Sequence, residues 1–112
     1  MLILVSRDEE LVSELLKEAK SEHAQLLHVP RQETLQRCSQ GEPLRRVFID
    51  LNVGDEALEF IAALKAGPCD PTIIAFLDHF VGDLPIRAKL AGADRIIPQT
   101  QFRREFPHLL AE

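Results

Sequence analysis

The chain has no long apolar run, no basic tract, no glycine-rich loop and only two cysteines, and each shortage excludes a class of function. No segment approaches the roughly 18 consecutive apolar residues of a membrane span. Met1 leads straight into a strand-like run without the layout of a signal peptide, so a cytoplasmic protein without a membrane partner is expected. The longest basic runs are the pairs Arg45-Arg46 and Arg103-Arg104, and the formal net charge is -5, which argues against a nucleic-acid surface. Glycines 41, 54, 67, 82 and 92 are too dispersed to cradle a phosphate. Cys38 and Cys69 have no neighbour at metal-ligand spacing and read as two reduced thiols in or near the core. His23, His28 and His108 are equally scattered, so no metal site is expected from them.

What is present fits one domain spanning residues 1–112. Its 46% hydrophobic content is ordinary for a single buried core. "LILVS" (Leu2 to Ser6) is a short apolar run of the kind buried on both faces. After it, Asp8, Glu9 and Glu10 open a helix whose stripe is Leu11, Val12, Leu15, Leu16 and Ala19. "AQLLHV" (Ala24 to Val29) predicts a second strand stopped by Pro30. "RQETLQRCSQ" is a weak helix with little more than Leu35 and Cys38 on its apolar side. "RRVFID" and "TIIAFL" predict the third and fourth strands, separated by a helix carrying Ala57, Leu58, Ile61, Ala62 and Leu64 and stopped at Gly67-Pro68. Asp83 is placed to cap a fourth helix with Pro85 in its first turn and Gly92 as its stop. "DRIIP" is a fifth strand. In the last helix Phe102, Phe106, Leu109 and Leu110 share a face, and Pro107 is expected to kink it or delay its start. Five such strands alternating with five helices imply an α/β fold: a doubly wound, five-stranded parallel sheet with helices on both faces.

In such sheets sites form beyond the carboxyl ends of the strands. The residues there are Ser6 and Arg7, Asp50, Leu77 and Asp78, and Gln99. In order and separation, "ILVSRDEEL", "VFIDLN", "IIAFLDH" and "AGADRIIPQ" together resemble the receiver domains of bacterial response regulators. The resemblance covers nearly the whole chain and implies the strand order 2-1-3-4-5. It places Asp50 at the phosphoacceptor position. It places Ser6 and Arg7 where the family has an acid pair for Mg²⁺, Leu77 where it has Thr or Ser, and Gln99 where it has Lys. Ile96 falls at the aromatic switch position of the fifth strand, and the loop through Asn52 and Gly54 lacks the family's Met-Pro step.

Each replacement removes something phosphoryl transfer needs. Mg²⁺ takes oxygen ligands and draws much of its attraction from carboxylates, so Asp50 with a serine hydroxyl beside an arginine is a poor set, and no cofactor is expected. Arg7 is instead expected to turn inward and form a charge-assisted bond to Asp50. His79 beside Asp78 reads as a surface loop. The resulting expectation is a degenerate receiver, a pseudo-receiver that is not an enzyme and signals through a protein partner or a homodimer. The resemblance puts that contact on the fourth and fifth helices and the fifth strand, with Ile86, Ala88, Lys89, Arg95, Phe102, Arg103 and Phe106 on the face. A competing reading is an unusual phosphoacceptor in which Arg7 serves the phosphoryl group directly. A third, a flavodoxin-like small-molecule binder, is opposed by the acids of "SRDEE" where a phosphate loop belongs.

Overall fold

A computed structural model describes residues 1–53, 55–79 and 82–111; Gly54 of the loop noted above lies outside them. Strands β1 (Leu2–Val5), β2 (Leu26–His28), β3 (Arg46–Asp50), β4 (Thr72–Leu77) and β5 (Arg95–Pro98) form one parallel sheet in the order β2-β1-β3-β4-β5. Between and after them run helices α1 (Glu9–Ser21), α2 (Arg31–Ser39), α3 (Asp55–Ala66), α4 (Leu84–Ala91) and α5 (Gln99–Ala111), with a single 3₁₀ turn at Leu51–Val53. This is the doubly wound sheet expected from the alternation of strand and helix patterns. β2 is the exception in length, with three residues where six were expected.

Alternation along the strands divides the core in two. Ile3, Val47, Ile49, Ile73 and Ala75 pack with Ala57, Ile61 and Leu64 of α3 on one face. Leu2, Leu4, Phe48, Ile74, Phe76 and Ile97 pack with α1 and α5 on the other. Helix α1 begins where its sequence says it should: the Asp8 carboxylate accepts the Leu11 N–H at 3.1 Å, and two glutamates follow in the first turn.

Three local expectations need correction. Asp83 does not cap α4 with its side chain; its carboxylate lies 3.8 Å from Arg87 instead. Pro85 does occupy the first turn, and Gly92 ends the helix at φ 127°, where a Cβ would stand 2.4 Å from Cγ of Lys65. Pro107 neither stops nor delays α5, which is continuous from Gln99 to Ala111. The proline deprives one carbonyl of its helical donor. The burial of Phe102, Phe106, Leu109 and Leu110 holds the helix through it, and Arg46 donates to the Leu109 carbonyl at 3.1 Å near the helix end.

The third correction concerns the cysteines. Cys38 of α2 and Cys69 of the α3–β4 loop are joined in a disulfide, not held as two thiols. They lie 31 residues apart, and their proximity is a product of the fold rather than of local spacing. Gly67 makes room for the bond, since a Cβ there would meet the Cys38 sulfur at 3.0 Å. A disulfide of this kind persists in oxidising surroundings and is rare where cellular thiols are kept reduced.

Candidate functional site at the carboxyl edge of the sheet

Strand β3 carries three fully buried apolar residues, Val47, Phe48 and Ile49, and then delivers Asp50, 4% exposed, to the carboxyl edge of the sheet. A buried carboxylate needs hydrogen bonds to each oxygen, and Asp50 has them. Its Oδ2 accepts from the Ser6 hydroxyl at 2.8 Å, and its Oδ1 accepts from the Asn52 backbone N–H at 2.9 Å. The Ser6 oxygen in turn accepts the Asp8 N–H at 3.1 Å, joining Asp50 to the start of α1. Among the described residues both direct donors to the carboxylate are neutral.

The Arg7–Asp50 bond expected from the sequence is absent. Arg7 turns outward and donates to Glu56 of α3 at 2.9 Å, with 68% of its side chain exposed. The reason is local: the Ser6 hydroxyl occupies the carboxylate from within the sheet edge, while α3 presents a half-exposed acid, Glu56, at the rim. Leu77 is core, at 3% exposure, and pairs with Pro98 across the last two strands. Gln99 opens α5 and accepts from the Asn52 side-chain amide at 3.4 Å. Of the five positions singled out, Ser6 and Asp50 touch, Gln99 is joined to them through Asn52, and Arg7 and Leu77 stand apart from the carboxylate.

Asn52 is the residue that sequence reasoning undervalued. Its N–H holds Asp50, its side-chain oxygen accepts the Asp78 N–H at 3.1 Å, and its amide reaches Gln99. One side chain thus ties the ends of β3, β4 and β5. The signal was an amide two residues past a strand-ending aspartate, the position from which an Asx turn is closed.

The donor set does not fit Mg²⁺. At the two positions where the resemblance implies acids stand a serine already bonded to Asp50 and an arginine paired with Glu56, neither of which offers a carboxylate. Octahedral oxygen ligation has no second carboxylate to draw on at Ser6 or Arg7. The described residues include no group of three His, Cys, Asp or Glu side chains arranged to hold a metal ion.

The interaction face divides. Phe102 and Phe106, assigned to it from the sequence, are completely buried, as is Ala88. The Phe102 ring stacks on Phe76 with centroids 4.1 Å apart, so these rings are core and not anchors for a partner. Lys89, Arg95 and Arg103 are exposed, but each is engaged within the chain: with the Asp94 carbonyl, with Glu105 and with Glu14. Among the described residues the large exposed apolar side chains are on α4, where Ile86 is 65% and Leu90 82% exposed, one helical turn apart. Leu90 was missed because α4 has almost no amphipathic asymmetry to say which apolar residue faces out.

No family model matches the sequence, and no curated protein matches it. Solved structures do. The receiver domain of NtrC4, determined as a beryllofluoride-activated dimer, superposes with a TM-score of 0.75 at 18% identity over 98% of this chain and 95% of that one. A putative pilus assembly-related protein from Burkholderia pseudomallei K96243 gives 0.73 at 16% identity over 98% and 85%. The fold is that of receiver domains. A response regulator protein from Burkholderia pseudomallei, solved with a phosphorylated aspartic acid and a calcium ion, gives 0.72 at 19% identity over 88% of this chain, which spans only 58% of that protein. Against the receiver fold the carboxyl edge is the same place, furnished differently. Among the described residues no helix is long and apolar enough to cross a membrane.

Proposed function

We propose that the protein is a receiver-type signalling module of a two-component or related regulatory system that works without phosphorylation, through contact with a protein partner or a second copy of itself. The observation that carries the reading is the state of Asp50, both of whose oxygens are taken by neutral donors of its own fold. Phosphoryl transfer to a carboxylate concentrates negative charge that cations must neutralise. Here Gln99 and Ser6 stand in the places of the family's lysine and one acid, and Arg7 is turned to Glu56. The same geometry speaks against the reading in which Arg7 serves a phosphoryl group on Asp50.

The contact surface in this reading is α4, with Ile86 and Leu90 as its apolar residues and the exposed Lys89 on the same helix; Arg103, paired with Glu14 of α1, belongs to the α1–α5 side. That one of the similar structures is a receiver-domain dimer supports a homodimer as one form of the contact. The reading assigns the chain no enzymatic activity, no metal cofactor and no nucleic-acid or membrane partner; receiver modules imply a cytoplasmic location, where the Cys38–Cys69 pair would stand reduced. Beryllofluoride, which imitates a phosphoryl group on a carboxylate, tests it directly. With and without Mg²⁺, amide NMR spectra are expected to show no change that depends on Asp50. A shift that Asp50→Asn abolishes would return the protein to the phosphoacceptors.

A further inference from the structure

Beside Asp50, on the α2 side of the sheet edge, a cleft of about 340 Å³ opens between the ends of β1 and β3, the β2–α2 turn and α3. That volume is at the small end of the range for organic-ligand sites, about 300–1,000 Å³. Its lining is mostly apolar, from Val5, Val29, Ile49 and Ala57, with the polar Ser6 and His28 set among them. Its rim carries two arginines, Arg7 from the end of β1 and Arg31 from the first position of α2. Both guanidinium groups converge on one carboxylate, that of Glu56, at 2.9 and 3.0 Å.

This convergence is the decisive feature. Guanidinium forks match carboxylate and phosphate geometry, and here two of them define a single anionic seat that the chain fills with its own side chain. The seat is exchangeable at the Glu56 carboxylate: its side chain is 53% exposed and that of Arg7 68%, and an ion pair this open contributes at most about 1 kcal/mol, while Arg31, 33% exposed, is held in place by a second bond to the Glu56 backbone carbonyl at 3.3 Å. The start of α2 adds to the positive potential, because its cap is Pro30, which offers no side chain to the first N–H groups. Asp50 also borders the cleft, and its charge keeps an anion away from the inner wall. An occupant therefore has its charge at the rim and its apolar part inside.

We propose that this cleft binds a small organic anion, an apolar body of one or two rings carrying a carboxylate or a phosphate, which displaces Glu56 from Arg7 and Arg31. Because Arg31 lies on α2 and Glu56 on α3, such a ligand exchanges the ion pair between two helices for a bond to itself. The site is independent of the α4 surface.

The probe is 8-anilinonaphthalene-1-sulfonate, two ring systems with one sulfonate, titrated into the folded chain by fluorescence. Saturable binding to one site is expected, and uncharged N-phenyl-1-naphthylamine, the same rings without the anion, should bind far more weakly. Arg31→Gln should weaken the sulfonate roughly tenfold, the order of one charge-assisted hydrogen bond. Glu56→Gln, a surface change that removes the internal competitor, should tighten it. Leu90→Asp should leave it unchanged. Displacement by 1-naphthoate or by 1-naphthyl phosphate then tells whether carboxylate or phosphate is preferred. The proposal is overturned by the absence of saturable binding, by indifference to both Arg31→Gln and Glu56→Gln, by equal binding of the uncharged probe, by failure of both competitors, or by loss of the signal in Leu90→Asp.

Discussion

On the α1–α5 side of the sheet four phenylalanines interlock: Phe48 and Phe76 from the strands meet Phe102 and Phe106 from α5, with ring centroids 4.1 to 5.7 Å apart. On the other side the core is aliphatic but for one ring, Phe60 of α3, and the outer helices are held by other means. Helix α2 buries only Thr34 and Cys38 and is tied down by the disulfide to Cys69. Helix α4 buries Ala88 and leaves Ile86 and Leu90 in solvent. The contrast teaches that helix anchoring and helix availability are alternatives: α5, which was expected to meet a partner, is spent on the core, while α4 keeps its apolar residues for the outside.

The largest effect should come from breaking the aromatic side. Phe102→Ala removes a fully buried ring that touches three others and is expected to destabilise the fold by about 3–5 kcal/mol in a denaturant titration. Phe48→Ala should behave alike, whereas no single aliphatic truncation in α2 has comparable packing to lose. A loss under about 1 kcal/mol for Phe102→Ala would mean that the rings do not interlock as described.

Reduction of Cys38–Cys69 is next. A cross-link closing a loop of 31 residues restricts the unfolded chain by roughly 3–4 kcal/mol on the chain-entropy account. Dithiothreitol should lower the stability by that order and increase hydrogen exchange in α2 before α5, because α2 has little else to hold it. Uniform loosening of both sides would contradict the division between them.

These two cases also show what could be read in advance. The strand runs were legible because a strand buried on both faces is apolar throughout, and Asp50 was legible because it interrupts such a run at its end. The helical spacing of Phe102, Phe106, Leu109 and Leu110 showed that they share a face, but periodicity does not say whether that face turns to the sheet or to a partner. The outward turn of Arg7 depends on Glu56, which is 49 residues away, and the cysteine pairing on a 31-residue separation; neither leaves a local trace. Asn52 shows the same limit, since its bonds to Asp78 and Gln99 exist only once three strand ends are side by side.

On the aliphatic side a polar clasp does part of what aromatic packing does opposite. Asp94 accepts the Ile73 N–H at 2.7 Å and the Lys65 ammonium at 3.1 Å, and its carbonyl accepts from Lys89 of α4 at 2.7 Å. Burial alone pushes its carboxyl upward, but the Ile73 N–H and the lysine charges outweigh this and hold it below the usual carboxylate range. A carboxyl that is more acidic folded than unfolded contributes its stability above the unfolded value and loses it as pH falls through the folded one. With 44% of the side chain exposed the contribution is discounted to below about 1 kcal/mol. Asp94→Asn should therefore cost little at neutral pH, and the difference from the parent should begin to fade at about pH 4 and be lost as the pH falls through the lowered folded value. A difference that persists or grows in acid would reassign Asp94 to packing.

The smallest effect on stability, and the sharpest on the comparison, is expected at Leu90. A residue 82% exposed on a helix surface has almost no burial to lose, so Leu90→Asp should change unfolding free energy by no more than about 0.5 kcal/mol. If α4 is the surface kept for a partner, the same substitution should shift sedimentation velocity from dimer to monomer, or abolish capture of the partner, because an aspartate placed against Ile86 and its counterpart is buried without a neutralising group. Phe102→Tyr is the matching change on the other side: its hydroxyl has no room beside Phe76 and Phe48, so it should lower stability, while association tracks the folded fraction. Leu90→Asp altering contact without stability, and Phe102→Tyr altering stability without contact, is the pattern that separates an available helix from an anchored one.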